Sequence, residues 1–192
     1  SAGSRVLIER SIYADVLVLL RQRFEALRTG PGAGAPDCGP LISRKQLDRV
    51  EGKAASARDA GAKVVARAQL VADAPKTGFY FPPMLLSDLP TTHEVAQDEV
   101  FGPVLAAFAF DGEDEAATLA NGTPYGLTAA VWTRDGGRAL RMAHRIEAGQ
   151  VFINNYGAGG GIELPFGGMK HSGYGREKAF EGLKGFTTIK TI

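Results

Sequence analysis

The segment VLAAFAF, residues 104–110, decides how the rest of the sequence is interpreted. A short continuous apolar run of this kind is typical of a strand buried on both faces, as in a parallel sheet. After it the pattern alternates between a helix over about 113–120, a strand over 127–133, a helix over 137–148 and a strand over 150–154. This alternation predicts right-handed βαβ units and an α/β fold with a mostly parallel sheet.

The N-terminal part fits the same scheme, starting with a strand-like alternation at residues 5–9. Ser11 is predicted to cap a helix that Gly30 ends. Ser43 and Gln46 form a capping-box signature for a second helix that runs to about Gly61.

Three further strands are predicted from composition. Residues 63–68 form a short strand, and residues 79–86 form an extended run. Pro82-Pro83 interrupts the second run, which places it at a sheet edge or in a bulge. The β-branched segment FTTIKT, residues 186–191, predicts a closing strand.

Composition excludes several classes of function. The chain has 192 residues, which suits one domain, and it carries 22 basic and 21 acidic residues. A chain with so small a net charge creates no strong positive electrostatic field that would attract nucleic acid or an anionic membrane. No apolar run is long enough for a transmembrane helix, and the single cysteine, Cys38, cannot form an internal disulfide. These features favour a cytoplasmic protein.

The glycine-rich region after residue 155 does not match the common catalytic or nucleotide-binding motifs. The stretch GAGGGI, from Gly157, has Ile162 where a dinucleotide fingerprint needs its third glycine. A P-loop requires a glycine before its lysine and a Ser or Thr after it, and Lys170 has neither. A nucleophile elbow around Ser172 would need a glycine two residues earlier, where Lys170 stands. Ser172 is therefore interpreted as a turn residue.

Histidine and cysteine provide no convincing site. His93-Glu94 begins like a zinc-protease helix, but Gln97 stands in place of the second histidine. His144 and His171 are interpreted as surface or packing residues. Cys38 lies in a Pro/Gly-rich loop beside Asp37, whose charge would raise the thiol pKa, so a structural role is favoured over nucleophilic catalysis.

The stretch QDEVFGPVL, residues 97–105, leaves two interpretations open. The Glu99 carboxylate could accept two hydrogen bonds from a diol such as ribose, and Phe101 could form a flat wall for a ring. Equally, Glu99 could be a solvated residue before a core phenylalanine.

Taken together, these stretches resemble the C-terminal part of the catalytic domain of the NAD(P)-dependent aldehyde dehydrogenase superfamily, over essentially residues 1–192. The resemblance implies a three-layer α/β/α architecture. It rests on six motifs in the family's order: SAGSR (1–5), CGPLIS (38–43), QDEVFGPV (97–104), NGTPYGLTAAVWT (121–133), GQVFINN (149–155) and PFGGMKHSGYGRE (165–177).

The resemblance also implies residue roles on the cofactor side. Glu99 would bind the nicotinamide ribose and Phe101 would line the nicotinamide. Gln46 and Arg49 match, less closely, helix positions that touch NAD or NADP.

On the substrate side, Phe166 would line the aldehyde tunnel, and the stretch from Tyr156 to Glu163 would shape its mouth. Glu177 matches a buried glutamate that helps to move protons. The backbone of Lys170 and Gly173 matches a monovalent cation site in some members, and no other metal is expected.

The family's catalytic cysteine would immediately precede Ser1, and the Rossmann domain would also lie upstream. The implied reaction oxidises a small-molecule aldehyde to an acid through a cysteine thiohemiacetal and thioester. Residues 1–192 alone are therefore expected to be inactive, and their parent to form a homodimer or homotetramer. The alternative is a non-catalytic binding or assembly module with the same fold.

Overall fold

The computed structural model of the chain describes residues 3–157 and 161–192. Its described residues form two compact units, an N-terminal unit over Gly3–Gly112 and a C-terminal unit over Glu113–Ile192. Each unit has its own strands and helices.

The N-terminal unit is built on a four-stranded sheet in the order β1-β6-β5-β3. Strands β1, β5 and β6 are parallel, and β3 joins the edge antiparallel to β5. This confirms the predicted α/β fold with a mostly parallel sheet. The elements are β1 (Arg5–Glu9), α1 (Tyr13–Ala26), β2 (Arg28–Thr29), α2 (Arg44–Asp59), β3 (Lys63–Arg67), β4 (Gln69–Leu70), β5 (Met84–Ser87), α3 (Glu94–Gln97) and β6 (Val104–Phe110).

Helices cover both faces of this sheet. Leu85 and Ala107 point to the face that packs against α1, through residues such as Leu20. Residues of alternate parity, including Leu86 and Ala106, point to the opposite face, where α2 and α3 lie. Because side chains alternate along a strand, each buried strand contributes to both cores. The unit therefore has the three-layer α/β/α architecture that the resemblance implies.

Two expectations for the first helix were wrong. Ser11 does not cap it, because Ser11 lies inside a 3₁₀ turn at Arg10–Ile12 and the helix starts only at Tyr13. Gly30 does not end it either. The helix stops at Ala26, because Leu27 is extended and the next two residues pair with β4.

The predicted edge position of the proline-containing strand was also wrong. β5 lies between β6 and β3, and Pro82 and Pro83 precede its first residue, Met84. The prolines therefore remove no donor from the ladder, and the Pro83 carbonyl accepts a hydrogen bond from Ala68 at 2.8 Å. The irregularity falls on β3, where the register shifts between Val64 and Ala66.

The C-terminal unit contains two short strand pairs, the parallel pair β8–β9 and the antiparallel pair β7–β10. Asn154 clamps the ends of β8 and β9, because its side chain accepts from the Thr133 N–H and donates to the Thr133 carbonyl, both at 2.9 Å. The elements are α4 (Gly112–Asn121), β7 (Tyr125–Gly126), β8 (Thr128–Val131), α5 (Gly136–Arg145), β9 (Gln150–Ile153), β10 (Met169–Lys170) and α6 (Ala179–Lys184).

The predicted closing strand does not form. Residues 186–192 are all described and none is in a strand, and Phe186 and Ile189 are more than 90% exposed. β-branched composition supplies propensity only, and a strand also needs an edge with which to pair.

Candidate functional site

A tight turn at residues 98–102 brings together the strongest candidates of the N-terminal unit. Val100 is buried at 2% exposure and anchors the turn, whereas the Phe101 side chain is 63% exposed. Phe101 has a φ of +55°, a left-handed conformation that is uncommon for a bulky residue. Such strain persists only where neighbouring groups hold it, and it is concentrated at functional sites.

Residues in the first two turns of helix α2 hold this segment in place. Ser43 caps the helix, accepting from the Gln46 N–H at 3.2 Å, as predicted. The Gln46 side chain does not complete the capping box. Its amide nitrogen instead donates to the carbonyls of Val100 at 3.2 Å and Phe101 at 2.9 Å. The Arg49 guanidinium lies 5.9 Å from the centre of the Phe101 ring.

Gly102 closes the turn against the same helix. A Cβ on Gly102 would lie 2.5 Å from a methyl group of Val50, which is fully buried. The glycine is therefore required by space. Gln46, Arg49 and Val50 lie at i, i+3 and i+4, so one stripe of α2 contacts the turn.

Glu99 provides the free functional group of this turn. It is half-buried, and its carboxylate has no hydrogen-bond or ion-pair partner among the residues that the structure describes. A carboxylate with open acceptor sites beside an exposed aromatic ring is a suitable environment for a diol attached to a flat ring. The structure thus brings Glu99, Phe101, Gln46 and Arg49 into one cluster.

His93 and Glu94 belong to a helix cap. The His93 Nδ1 accepts from the Val95 N–H at 3.2 Å, so its other nitrogen carries the proton and donates to the Ser56 hydroxyl at 3.2 Å. Within residues 3–157 and 161–192, no group of three His, Cys, Asp or Glu residues could hold a metal ion. The capping role explains a dipeptide that resembles the start of a zinc motif.

Cys38 has the properties of a structural thiol. It is half-buried, and burial raises its pKa, which disfavours the thiolate. The raised thiol pKa agrees with the sequence-based prediction, but that prediction attributed the rise to the charge of Asp37, whereas the cause is burial. Asp37 is engaged elsewhere, accepting from the Arg28 N–H at 2.8 Å.

In the C-terminal unit, two candidate residues pair through their backbones. Phe166 and Glu177 form an antiparallel bridge, with N–H···O distances of 2.8 and 2.6 Å. The Lys178 ammonium lies 5.5 Å from the centre of the half-buried Phe166 ring. This bridge closes the loop of residues 167–176 and fixes the Phe166 backbone.

Two C-terminal candidates are more open than the resemblance implies. The resemblance describes Glu177 as buried, but it is exposed, because only its backbone is paired and no described residue covers its side chain. Tyr156 is 42% exposed. Of the stretch from Tyr156 to Glu163 assigned to the tunnel mouth, residues 158–160 lie outside the described residues, as does the start of the SAGSR motif.

The loop between the bridge residues is a braced turn. The Ser172 hydroxyl accepts from the Gly126 N–H at 3.0 Å, as expected for a turn residue. The Lys170 carbonyl accepts from the Gly173 N–H at 3.3 Å, so the two positions assigned to a monovalent cation bind each other. The Lys170 ammonium is itself surrounded by oxygens, at 2.9 Å from the Asn121 carbonyl and 2.8 Å from the Glu147 carboxylate.

The two other histidines fit the packing or surface roles expected of them. His144 is an exposed residue of α5. His171 packs edge-on against Tyr125, with ring centres 6.3 Å apart. Neither forms an ion pair with a described residue.

Sequence reasoning missed Lys53, which is buried on α2 and faces α3. Lys53 lies seven residues after Gln46, which is two helical turns and therefore the same stripe. That spacing was the one feature of the sequence that could have linked Lys53 to Gln46. A lysine on a helix is usually solvated, so the spacing alone did not distinguish it.

No helix among the described residues is long and apolar enough to cross a membrane.

Comparison with known proteins identifies the family. The family model "Aldehyde dehydrogenase family" matches residues 1–192. The chain is 36% identical to a betaine aldehyde dehydrogenase of Rhizobium etli and 40% identical to the NADP/NAD-dependent aldehyde dehydrogenase PuuC of Escherichia coli. In both cases all of the chain is covered, and it spans 39% and 38% of the relative's length.

Solved structures agree. An aldehyde dehydrogenase structure from Burkholderia cenocepacia superposes with a TM-score of 0.97 at 60% identity, covering 100% of this chain and 40% of that one. The betaine aldehyde dehydrogenase of Staphylococcus aureus in complex with NAD⁺ superposes with a TM-score of 0.91 at 35% identity, covering 97% and 37%. The fold and motifs define an α/β domain with a mostly parallel sheet. The chain belongs to the aldehyde dehydrogenase family.

Proposed function

We propose that residues 1–192 are the C-terminal part of the catalytic domain of an NAD(P)-dependent aldehyde dehydrogenase. In this proposal the Rossmann domain and the cysteine nucleophile belong to a longer parent protein. The cysteine would add to the aldehyde as a thiolate, the resulting thiohemiacetal would lose a hydride to NAD⁺ or NADP⁺ to give a thioester, and water would then release the carboxylic acid and the thiol. The observation that carries the proposal is the turn at residues 98–102, with its exposed Phe101 ring and a Glu99 carboxylate that pairs with no described residue.

The role of this turn is to position the reactive ring of the cofactor. Glu99 would accept hydrogen bonds from the ribose hydroxyls, and Phe101 would contact the ring, which takes up a hydride. Gln46 supports the turn, because its side-chain amide donates to the carbonyls of Val100 and Phe101. Its carbonyl oxygen and the Arg49 guanidinium are then available to a polar part of NAD or NADP.

The C-terminal unit would contribute the substrate side. Phe166 offers an apolar face that suits a small-molecule aldehyde. Its backbone pairing with Glu177 holds the Phe166 backbone in position. Glu177 and Tyr156 are assigned to proton movement and to the tunnel wall. Full burial of Glu177 would require parts of the parent beyond the described residues.

The test is an assay of the full-length parent against a panel of aldehydes, with NAD⁺ and NADP⁺ in turn. We expect aldehyde-dependent reduction of at least one cofactor. Glu99→Gln should slow single-turnover hydride transfer, because a misplacement of ~1 Å is enough to cost about a hundredfold in rate. Glu51→Gln, on the exposed side of α2, is the matched control and should leave the rate unchanged. A parent with no such activity would contradict the proposal.

Residues 1–192 alone should show no aldehyde-dependent reduction of NAD⁺ or NADP⁺, since the nucleophile is assigned to the residue before Ser1. Turnover by this chain in a preparation shown by intact mass to be free of longer protein would overturn that assignment. Restoring the parent sequence should restore activity. A parent that folds but never reduces cofactor would favour the non-catalytic module instead.

We also propose that the parent forms a homodimer or homotetramer. Support comes from the run of exposed apolar side chains at Phe180, Leu183, Phe186 and Ile189 in the C-terminal unit. Exposed apolar residues this close together are typical of an interaction surface. Sedimentation of the parent distinguishes a monomer from these states.

A further inference from the structure

The strongest feature outside the assigned site is a buried charge on helix α2. Among residues 3–157 and 161–192, Lys53 is the only charged residue that is buried. Its ammonium lies 3.5 Å from an Asp98 carboxylate oxygen and 3.7 Å from a Glu94 carboxylate oxygen. A buried ammonium is unfavourable unless it is paired, so these two contacts explain how the charge is tolerated.

The two partners of Lys53 lie at the two ends of the same short helix. Glu94 is the first residue of α3, and Asp98 immediately follows its last residue. A helix of one turn cannot hold its own conformation. α3 is therefore held from outside, by Lys53 at both ends and by Ser56 through its hydrogen bond with His93.

Asp98 directly precedes Glu99, so the position of one constrains the other. On the far side of Glu99, the carbonyls of Val100 and Phe101 are held by Gln46. Glu99 is thus bracketed by two anchors on α2, one at Asp98 and one at Val100. Its own carboxylate has no partner among the described residues, so the anchors supply its placement.

We propose that Lys53 is a positioning residue of the cofactor site, acting through Asp98 to fix Glu99 and Phe101. This inference rests on the proposed function. Lys53 contacts neither cofactor nor substrate in this proposal. Its effect is on where Glu99 is held, and a loss of that placement reduces the rate of hydride transfer more than the affinity for the aldehyde.

The test uses the full-length parent with Lys53→Met, which removes the charge but keeps the length of the side chain. Lys63→Met is the matched control, since Lys63 is an exposed lysine of the same unit that pairs with Asp88 at 2.9 Å. We expect Lys53→Met to slow single-turnover hydride transfer about tenfold with little change in the KM for aldehyde. Lys63→Met and the charge-conserving Lys53→Arg should stay within about twofold of wild type.

A double variant separates positioning from general destabilisation. If Lys53 acts through Glu99, then Lys53→Met combined with Glu99→Gln should be no slower than Glu99→Gln alone. Additive effects, or a Lys53→Met variant that melts at a lower temperature but transfers hydride at the wild-type rate, would overturn the inference. If Lys53→Met does not fold, Asp98→Asn tests the same contact from the other side and should slow the same step.

These outcomes are distinguishable from failure of the proposed function. An active parent that is impaired by Glu99→Gln but unaffected by Lys53→Met refutes the role of Lys53 alone. A parent without aldehyde-dependent cofactor reduction refutes both.

Discussion

The side-chain amide of Gln46 joins two successive carbonyls, those of Val100 and Phe101, across 54 and 55 residues of sequence. The contact connects the first turn of α2 to Phe101, whose φ is +55°. It therefore fixes a backbone conformation that Phe101 would not adopt unaided.

Gln46→Leu should destabilise the protein by about 1 to 2 kcal/mol, because two hydrogen bonds to the turn are lost. Gln46→Glu should cost more, since a carboxylate would face two carbonyl oxygens. Urea unfolding measures both effects. Gln22→Leu, at an exposed position of α1, is the matched control and should change stability little. Equal effects at Gln46 and Gln22 would show that the turn does not depend on Gln46.

Gly102→Ala should destabilise the protein by about 1 to 3 kcal/mol, because its Cβ would lie 2.5 Å from a Val50 methyl group in a filled core. Combining it with Val50→Ala should cost less than the sum of the two single changes, because the smaller side chain makes room for the Cβ. The control is Gly52→Ala on the exposed face of α2, where a Cβ meets nothing within 4 Å. That change should stabilise by about 0.5 to 1 kcal/mol. Thermal unfolding of the three single variants and of the double variant tests these expectations.

Glu113 should make stability depend on pH in the acid range. Its hydrogen bonds and charge pairing with Arg141 and Arg138 lower its pKa from 4.5 to about 2. Because the folded pKa is below the unfolded one, the contribution is fully present above about pH 4.5 and is lost as the pH falls toward 2. The difference in melting temperature between wild type and Glu113→Gln should therefore be largest near neutrality and shrink in this range. A difference that stays constant down to pH 2 would contradict the pairing.

Ser172→Ala should cost about 1 kcal/mol, because the Gly126 N–H loses the hydroxyl that accepts its hydrogen bond. Turnover of the parent, corrected for folded fraction, should remain within about twofold of wild type. Abolished turnover in a folded variant would instead revive the nucleophile interpretation. Thr187→Ala is a suitable hydroxyl-deletion control, since the Thr187 hydroxyl donates to the nearby Lys184 carbonyl.

The sheet was predictable because burial on both faces of a strand requires apolar residues at every position, as in Val104–Phe110. The position of the proline-containing strand was not predictable from Pro82 and Pro83. Their effect depends on whether they lie inside the strand or just before Met84. Composition does not locate the start of a strand to within two residues. The prediction of a closing strand was wrong because β propensity alone does not provide the edge of another strand with which to pair.

For the candidate site, the sequence suggests residues but does not give their contacts. The spacing of Ser43 and Gln46 predicted the cap correctly, yet the Gln46 side chain binds a distant turn. Local spacing determines which residues share a helix face, but not which distant carbonyls face it. For the same reason Lys53 was not identified, since its burial depends on α3.

The contacts of α2 with the turn use Gln46, Arg49, Val50 and Lys53, which share one stripe of the helix. Inserting or deleting a single residue between Gln46 and Lys53 would rotate the following side chains by about 100° and separate them from the turn. In the preceding Gly- and Pro-rich loop, residues 31–37 lie between the paired backbones of Gly30 and Cys38 and can change in number at little cost, since each doubling of a flexible loop costs only about 0.6 kcal/mol. Related chains should therefore vary in length before Ser43 and keep a fixed length from there to Lys53.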